Sequence, residues 1–366
     1  MQPGRPHHNK DVPAMHREKN LFSRIVDVSS LYRAFVGASH GKRDRSEVRE
    51  FEYHLETRLS EIRDELQTGV YRWGDLRHFW ISDPKRRLIR AAPFRDRVVH
   101  HALFNVLDPI FRRGFIADSY ACIPGRGTHA AVMRYRGFVR ARAGRGYRVQ
   151  CDIKSYFASV DHGVLTGLLR RRVGDNRVLE LLHTLIDHGA ELPGRGMPIG
   201  NLTSQLFANV YLDPLDHFVK ETLQVRHYIR YMDDFLLLTA DRSEGRARLA
   251  AVRAFVRDRL RLELNARRVL LAPLECPCDL LGYVHYRDGR SRVRRRSVRR
   301  LWRRLPMLAR RVAAEKITYA QAHASLASWF GLAKHADAFR LSRAIFSVRD
   351  VRNVGKRLLV RTLGGR

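Results

Sequence analysis

Cysteine is scarce in this chain: Cys122, Cys151, Cys276 and Cys278 are all it has among 366 residues. Cys276 and Cys278 have no second pair and no nearby histidine at zinc-ligand spacing, which disfavours a metal reading. The expectation is reduced, mostly buried thiols in a cytoplasmic protein. Long apolar runs are missing too. Stretches such as Phe235 to Leu238 fall far short of a bilayer span. The first twenty residues are polar and lack the apolar segment of a signal peptide. There is no fixed-period repeat, and no low-complexity tract beyond an enrichment in arginine. Acidic charge is also in short supply. Asp plus Glu number 37 against 69 Lys plus Arg, a formal net charge of +32. That excess opposes compaction unless a polyanion offsets it, so nucleic acid is the expected partner.

What is present is 45% hydrophobic residues, enough to bury a core of about two or three structural units. Residues 1 to about 20 read as a loose tail. Helical patterning runs from Leu21 to Leu66, with Leu55, Leu59, Ile62 and Leu66 at three- and four-residue steps. Phe79-Trp80-Ile81 and Leu88-Ile89 read as short strands around an Asp83-Pro84-Lys85 turn. A helix is predicted from near Asp96. On it, His100 and His101 read as packing or template-contact residues rather than metal ligands. Tyr147 to Ile153 alternates as a strand, with Tyr147, Val149, Cys151 and Ile153 on the buried face and Arg148, Gln150 and Asp152 on the other. One helix is expected over 164–188, then a glycine-punctuated loop from Gly194 to Gly200 and a helix over 203–223. His227 to Thr239 reads as a hairpin with Asp233-Asp234 at its turn. Beyond it come a helix over 243–261, a strand near 269–272 and a strand pair around 280–286. The composition shifts at Arg287. From there arginines interleave with Val293, Val298, Leu301 and Trp302, and helical spacing continues to about Phe346.

Phosphoryl transfer by a two-metal route needs carboxylates that hold two divalent cations about 4 Å apart. Rigid neighbouring strands supply such carboxylates best, because the geometry is then set before substrate arrives. Asp152 near the end of one strand and Asp233-Asp234 at a hairpin turn meet that requirement. An ordinary acidic turn is the bland alternative for Asp233-Asp234. The apolar flanks (Tyr228, Ile229, Tyr231, Phe235 to Leu238) argue against it, since acids at a tight turn between buried strands repel unless they bind something.

Arg230-Tyr231-Met232-Asp233-Asp234 resembles the catalytic turn of reverse transcriptases. Asp152 to Phe157 resembles their first catalytic motif, and Gly196 to Gln205 the loop and helix between the two. Further likenesses lie at Lys85 to Arg97, Ser119 to Gly127 and Leu280 to Tyr283, in the family's order over roughly residues 50–290. The resemblance implies an α/β (α+β) right-hand polymerase with fingers, a palm of antiparallel sheet backed by helices, and a helical thumb. Its parts would be an N-terminal tail and helix over 1–50, fingers over 51–145, palm over 146–286 with a finger-returning segment about 165–195, and a basic thumb over 287–366. It implies two Mg²⁺ ions on Asp152, Asp233, Asp234 and the Ile153 carbonyl, with Asp234 acting less directly.

The same resemblance assigns Lys85 and Arg87 to the triphosphate, with Arg86 able to trade places with Arg87. Phe157 would lie under the incoming sugar and exclude a 2′-hydroxyl; a core aromatic is the alternative. Ile199, Gly200 and Gln205 would border the nucleotide. Family members carry a Lys where this chain has Arg267 or Arg268, and an Arg is a poor proton donor near neutral pH, so proton delivery to pyrophosphate is in doubt at Arg268. Arg126, Arg299 and Arg303 would contact template and primer. At 199 most members have Gln. Ile199 within Pro198-Ile199-Gly200-Asn201-Leu202-Thr203-Ser204-Gln205 looks like the enzymes of diversity-generating retroelements, which copy RNA with errors opposite adenine; a packing variant in an accurate enzyme is the alternative. That subgroup implies a structured template RNA and a small basic accessory protein as partners. Group II intron-like, retron and anti-phage defence enzymes are rivals, as is an RNA-binding platform without catalysis.

Overall fold

The computed structural model describes residues 17–82 and 86–347. Four helices come first: α1 (Leu21–Val26), α2 (Val28–Ser39), α3 (Ser46–Tyr53) and α4 (Leu55–Thr68). Asp27 starts α2 by accepting the N–H of Ser30 at 3.1 Å, which satisfies one of the orphan donors of a first turn. Leu59, Ile62 and Leu66 of α4 are buried, as their spacing predicts. An antiparallel hairpin follows, β1 (Arg77–Ile81) and β2 (Arg87–Ala91), paired from Arg77↔Ala91 to Ile81↔Arg87. The long α5 (Phe94–Arg112) packs on α2 and α3, where Phe94 meets Phe35 of α2 and Phe51 of α3 edge-on at 6.1 and 5.1 Å between ring centroids.

Next come α6 (Thr128–Ala141), β3 (Tyr147–Asp152), the one-turn α7 (Tyr156–Ser159), α8 (His162–Arg170) and α9 (Asn176–His188). The single helix expected over 164–188 is therefore two. Asp175 begins the second by accepting from the N–H groups of Arg177 and Val178, and it also takes the N–H of Phe22 at 2.9 Å. The helix α10 (Leu202–His217) runs into one π-helical turn (Phe218–Thr222). The strands β4 (Tyr228–Tyr231) and β5 (Asp234–Thr239) form the expected hairpin, followed by α11 (Arg242–Leu260) and β6 (Leu270–Pro273). Sheet order is β4-β5-β3-β6.

A second sheet, in the order β7-β8-β9, comprises β7 (Cys278–Leu280), β8 (Tyr283–His285) and β9 (Ser291–Val293). The arginine-rich region after 287 thus opens with a strand. Ser291 and Val293 are buried while Arg292 is exposed, an alternation too short to stand out among arginines. The helices α12 (Arg295–Ala313), α13 (Tyr319–Ala333) and α14 (Phe339–Ser347) complete the described chain.

Two compact units result. Of the described residues, one is formed by those up to Pro124 with Gln150–Leu236 and Ala247–Val269, the other by Gly125–Val149, Leu237–Arg246 and those from Leu270 to Ser347. In the second unit Leu301, Leu305, Leu308, Leu326 and Ile345 form one apolar cluster. Arg148, expected on the open face of β3, is buried there instead. Its guanidinium donates to the carbonyls of Pro273, Cys276 and Pro277 at 3.0, 2.7 and 2.8 Å, so the cation is solvated by backbone rather than water. The four thiols are free, as expected, but only Cys151 and Cys278 are buried while Cys122 and Cys276 are exposed. Burial pushes the Cys151 thiol up to about 12. Among the described residues no helix is long and apolar enough to cross a membrane.

Candidate active site

Asp152 closes β3 and is 5% exposed. Its two oxygens are both engaged: Asn265 Nδ2 donates to one at 3.0 Å and Arg268 Nη1 to the other at 2.7 Å. The backbone N–H of Asn265 adds a bond to the Asp152 carbonyl at 2.8 Å. The β4–β5 turn carries Met232, whose φ of +58° is left-handed for a non-glycine residue, and then Asp233 and Asp234. The N–H of Ile153 donates to the Asp233 carbonyl at 3.3 Å, so the turn is tied to the end of β3. The three acids come together from two strands.

The consequence is electrostatic. Burial raises the pKa of Asp233 and the charge of Asp152 adds to the rise, against the pull of Arg268 and Arg87. Asp234 is pushed up to about 7 by burial, by the Asp233 charge and by a hydrogen bond with Asp152. Adjacent carboxylates cannot all ionise cheaply without a counter-cation. Here that cation is Arg268, which also lies 3.9 Å from Asp234. Among the described residues no group of three or more His, Cys, Asp or Glu is arranged to receive a metal ion. The donors themselves, clustered carboxylate oxygens short of positive charge, fit a hard divalent cation, which would have to compete with Arg268.

Around the acids, Phe157 is half-buried, and its carbonyl accepts the N–H of Met197 at 2.8 Å, joining it to the 194–200 loop. The Ile199 carbonyl accepts the N–H of Arg90 at 3.1 Å, and Asn201 Oδ1 accepts that of Ala92 at 3.3 Å. Gly200 completes this lock on β2. Its φ is +125°, and a Cβ there would stand 2.9 Å from Ile89 Cγ2. Arg87 is exposed at the head of β2, and its charge is among those felt at Asp233. Arg86 instead stacks on the Trp80 ring at 4.2 Å, which separates the two candidates. Lys85 lies outside the described residues. Gln205 is exposed on the first turns of α10. Arg126, half-buried, and Arg299 and Arg303, exposed on α12, belong to the second unit.

Two features beside the acids lay outside the sequence reading: Asn265, and the pairing of Asp216 with Arg230, which enters that reading only as part of the catalytic-turn motif. Asn265 offered no signal beyond lying in the segment that supplies Arg268. The buried pair Asp216 and Arg230, joined at 2.7 Å, left a faint one: a charged residue inside each of two apolar segments.

Residues 82–284 match the reverse transcriptase (RNA-dependent DNA polymerase) family. Protein YkfC of Escherichia coli (strain K12) is 27% identical over 275 residues, covering 63% of this chain and 71% of that protein. The group II intron-encoded protein LtrA of Lactococcus lactis subsp. cremoris is 26% identical over 248 residues, 64% of this chain and 41% of LtrA. Among solved structures, telomerase from Candida albicans aligns with a TM-score of 0.45 at 13% identity, over 66% of this chain and 49% of that one. The chain thus spans less than half the length of LtrA and of the telomerase. Because the family match takes in more than half of the sequence, the protein belongs to the reverse transcriptases, the RNA-dependent DNA polymerases.

Proposed function

We propose that the chain extends a primer 3′-hydroxyl with deoxynucleotides on an RNA template, with two Mg²⁺ ions held by Asp152, Asp233, Asp234 and the Ile153 carbonyl. The observation that carries this is the convergence of the three carboxylates, the Asp233 carbonyl tied to the Ile153 N–H at 3.3 Å, with burial and the neighbouring acids pushing Asp234 up to about 7. Bound there, the ions would lower the pKa of the attacking hydroxyl and neutralise the leaving pyrophosphate. The protein's own work is positioning and charge complementarity. Asn265 holds one Asp152 oxygen. Lys85 and Arg87 grip the triphosphate as a point charge and a planar fork. Ile199, Gly200 and Gln205 border the nucleotide, and the Phe157 ring excludes a 2′-hydroxyl. Arg268 stabilises the charge of departing pyrophosphate, and its permanently protonated guanidinium leaves the proton to another donor. In this reading residues 51–145 are fingers, 146–286 palm and 287–366 thumb, with Arg126, Arg299 and Arg303 on the template and primer.

The finer assignment is to a diversity-generating retroelement, with error opposite adenine and a small basic accessory protein as partner. Ile199 in its Pro-Ile-Gly-Asn-Leu-Thr-Ser-Gln setting supports it. The similarity to LtrA favours a second reading, a group II intron-like enzyme. A template-repeat and variable-repeat pair in the neighbouring DNA decides for the first, and a non-coding RNA with retron folding decides against it. Polymerase chemistry is tested with purified protein, RNA template, primer, deoxynucleotides and Mg²⁺, with and without the accessory protein. Extension is expected, with a loss on the order of a hundredfold or more in Asp152→Asn and Asp233→Asn. No extension under any of these conditions favours a silent RNA-binding platform.

A further inference from the structure

Arg230 lies on β4, three positions before Asp233, and its side chain is wholly removed from solvent. Every nitrogen of its guanidinium is engaged. Nε and Nη2 form a two-pronged pair with Asp216 on α10, at 2.8 and 2.7 Å. Nη1 donates to Asn209 Oδ1 and to the carbonyl of Met232, each at 3.1 Å. The partners are anchored in turn: Tyr228 donates its hydroxyl to Asp216 at 2.7 Å, and Asn209 donates to the Ala121 carbonyl at 2.9 Å. The Arg230 backbone is fixed on both sides, its N–H on the Asp118 carbonyl and its carbonyl under the N–H of Tyr120, at 3.0 Å each. Burial opposes the charge, and Asp216 more than reverses that, so the guanidinium is held protonated.

Stability alone does not call for such a pair. Two charges taken out of water lose hydration, and apolar residues of similar volume often serve a core equally well. The pair does something an apolar residue cannot: it presents a donor to the carbonyl of Met232, the residue with left-handed backbone. With the Ile153 N–H on the Asp233 carbonyl, the turn is held at consecutive peptides, from β4 on one side and β3 on the other.

We infer that Arg230, braced by Asp216, is a positioning residue that fixes the Met232 peptide and thereby the direction in which Asp233 presents its carboxylate. This rests on Asp233 serving the polymerase site proposed above. Two full-length variants test it. Arg230→Lys keeps a buried charge but has no planar fork to reach Asp216, Asn209 and Met232 together. Arg230→Met combined with Asp216→Leu removes both charges and preserves volume, the exchange that cores tolerate.

Three measurements are made on each: the unfolding midpoint, free Mn²⁺ by electron paramagnetic resonance, and kcat and KM for deoxynucleotide. Both variants are expected to stay folded and to bind Mn²⁺ more weakly. The kcat should fall about ten- to a hundredfold, the usual effect of losing a group that orients a ligand, with KM little changed. A folded double variant with wild-type Mn²⁺ affinity overturns the inference. Failure of both variants to fold also overturns it, by assigning the pair to folding alone. Mn²⁺ binding needs no primer extension, so an inactive wild type counts against the polymerase reading and leaves this one separately decidable.

Discussion

At the scale of single residues, chemistry was most legible where side chains with one plausible task sit in short strings. Asp152, Asp233 and Asp234, expected to converge, do come together, at the end of β3 and the β4–β5 turn. Ile199 is legible as a departure but not in its consequence. Its carbonyl is tied to Arg90, so the backbone of the loop is held whatever the side chain is, and a substitution should alter selection more than folding. Ile199→Gln is expected to leave the unfolding midpoint within a few degrees and to reduce misincorporation opposite adenine. Sequencing the cDNA made by both proteins on one template measures this. An unchanged error spectrum removes Ile199 as the cause. Arg230 was the opposite case. Its partners at 209, 216 and 232 are set by three-dimensional packing, and nothing in a linear pattern pairs them.

At the scale of elements, periodicity found most helices and strands, and it failed where a backbone group elsewhere decided the matter. Alternation put Arg148 on the open face of β3, yet it is buried with its guanidinium on three main-chain carbonyls, from the end of β6 and the loop after it. Hydropathy has no term for an acceptor supplied a hundred residues away. The lock between β2 and the 199–201 loop was equally invisible, because one bond is wholly main-chain and the other needs a main-chain N–H that only the fold brings to Asn201. Asn201→Ala tests it. The substitution leaves the buried N–H of Ala92 without its partner, at a cost of about 1–3 kcal/mol. It should raise KM for deoxynucleotide, through a loosened Arg87, more than it lowers kcat. Equal KM in the two proteins would refute the link. The α5–α10 contact gives a pH signature. His100 on α5 meets Thr203 at 2.7 Å and is 3% exposed. Burial brings its pKa down from 6.5 to about 3, helped by the charges of His101, His188 and Arg97. The unfolded chain therefore takes up a proton that the fold refuses. Stability from this site is full above about pH 6.5 and is lost as pH falls toward about 3, at up to about 1.4 kcal/mol per unit. His100→Gln should flatten that acid limb in denaturant titrations. Identical slopes for the two proteins would rule His100 out as its source.

At the scale of the whole molecule, the charge of +32 says what class of partner to expect but not where it touches. The helix α12 narrows this. Leu301, Leu305 and Leu308 turn one stripe into the apolar cluster, while Arg299 and Arg303 remain exposed. Residues that contact phosphates act through released counterions, and each such contact contributes roughly 0.7–0.9 to the slope of log affinity against log salt. Replacing Arg299 and Arg303 together by Gln should therefore weaken binding of an RNA–DNA template–primer at low salt and reduce the slope by roughly 1–2. The acids of the active site should behave differently. Asp152→Asn removes a negative charge and touches no phosphate directly, so its slope should match the wild type even as extension is lost. Fluorescence anisotropy at several salt concentrations separates these outcomes. If Arg299→Gln/Arg303→Gln keeps the full slope, the duplex does not run along α12, and the charge excess is used elsewhere on the protein.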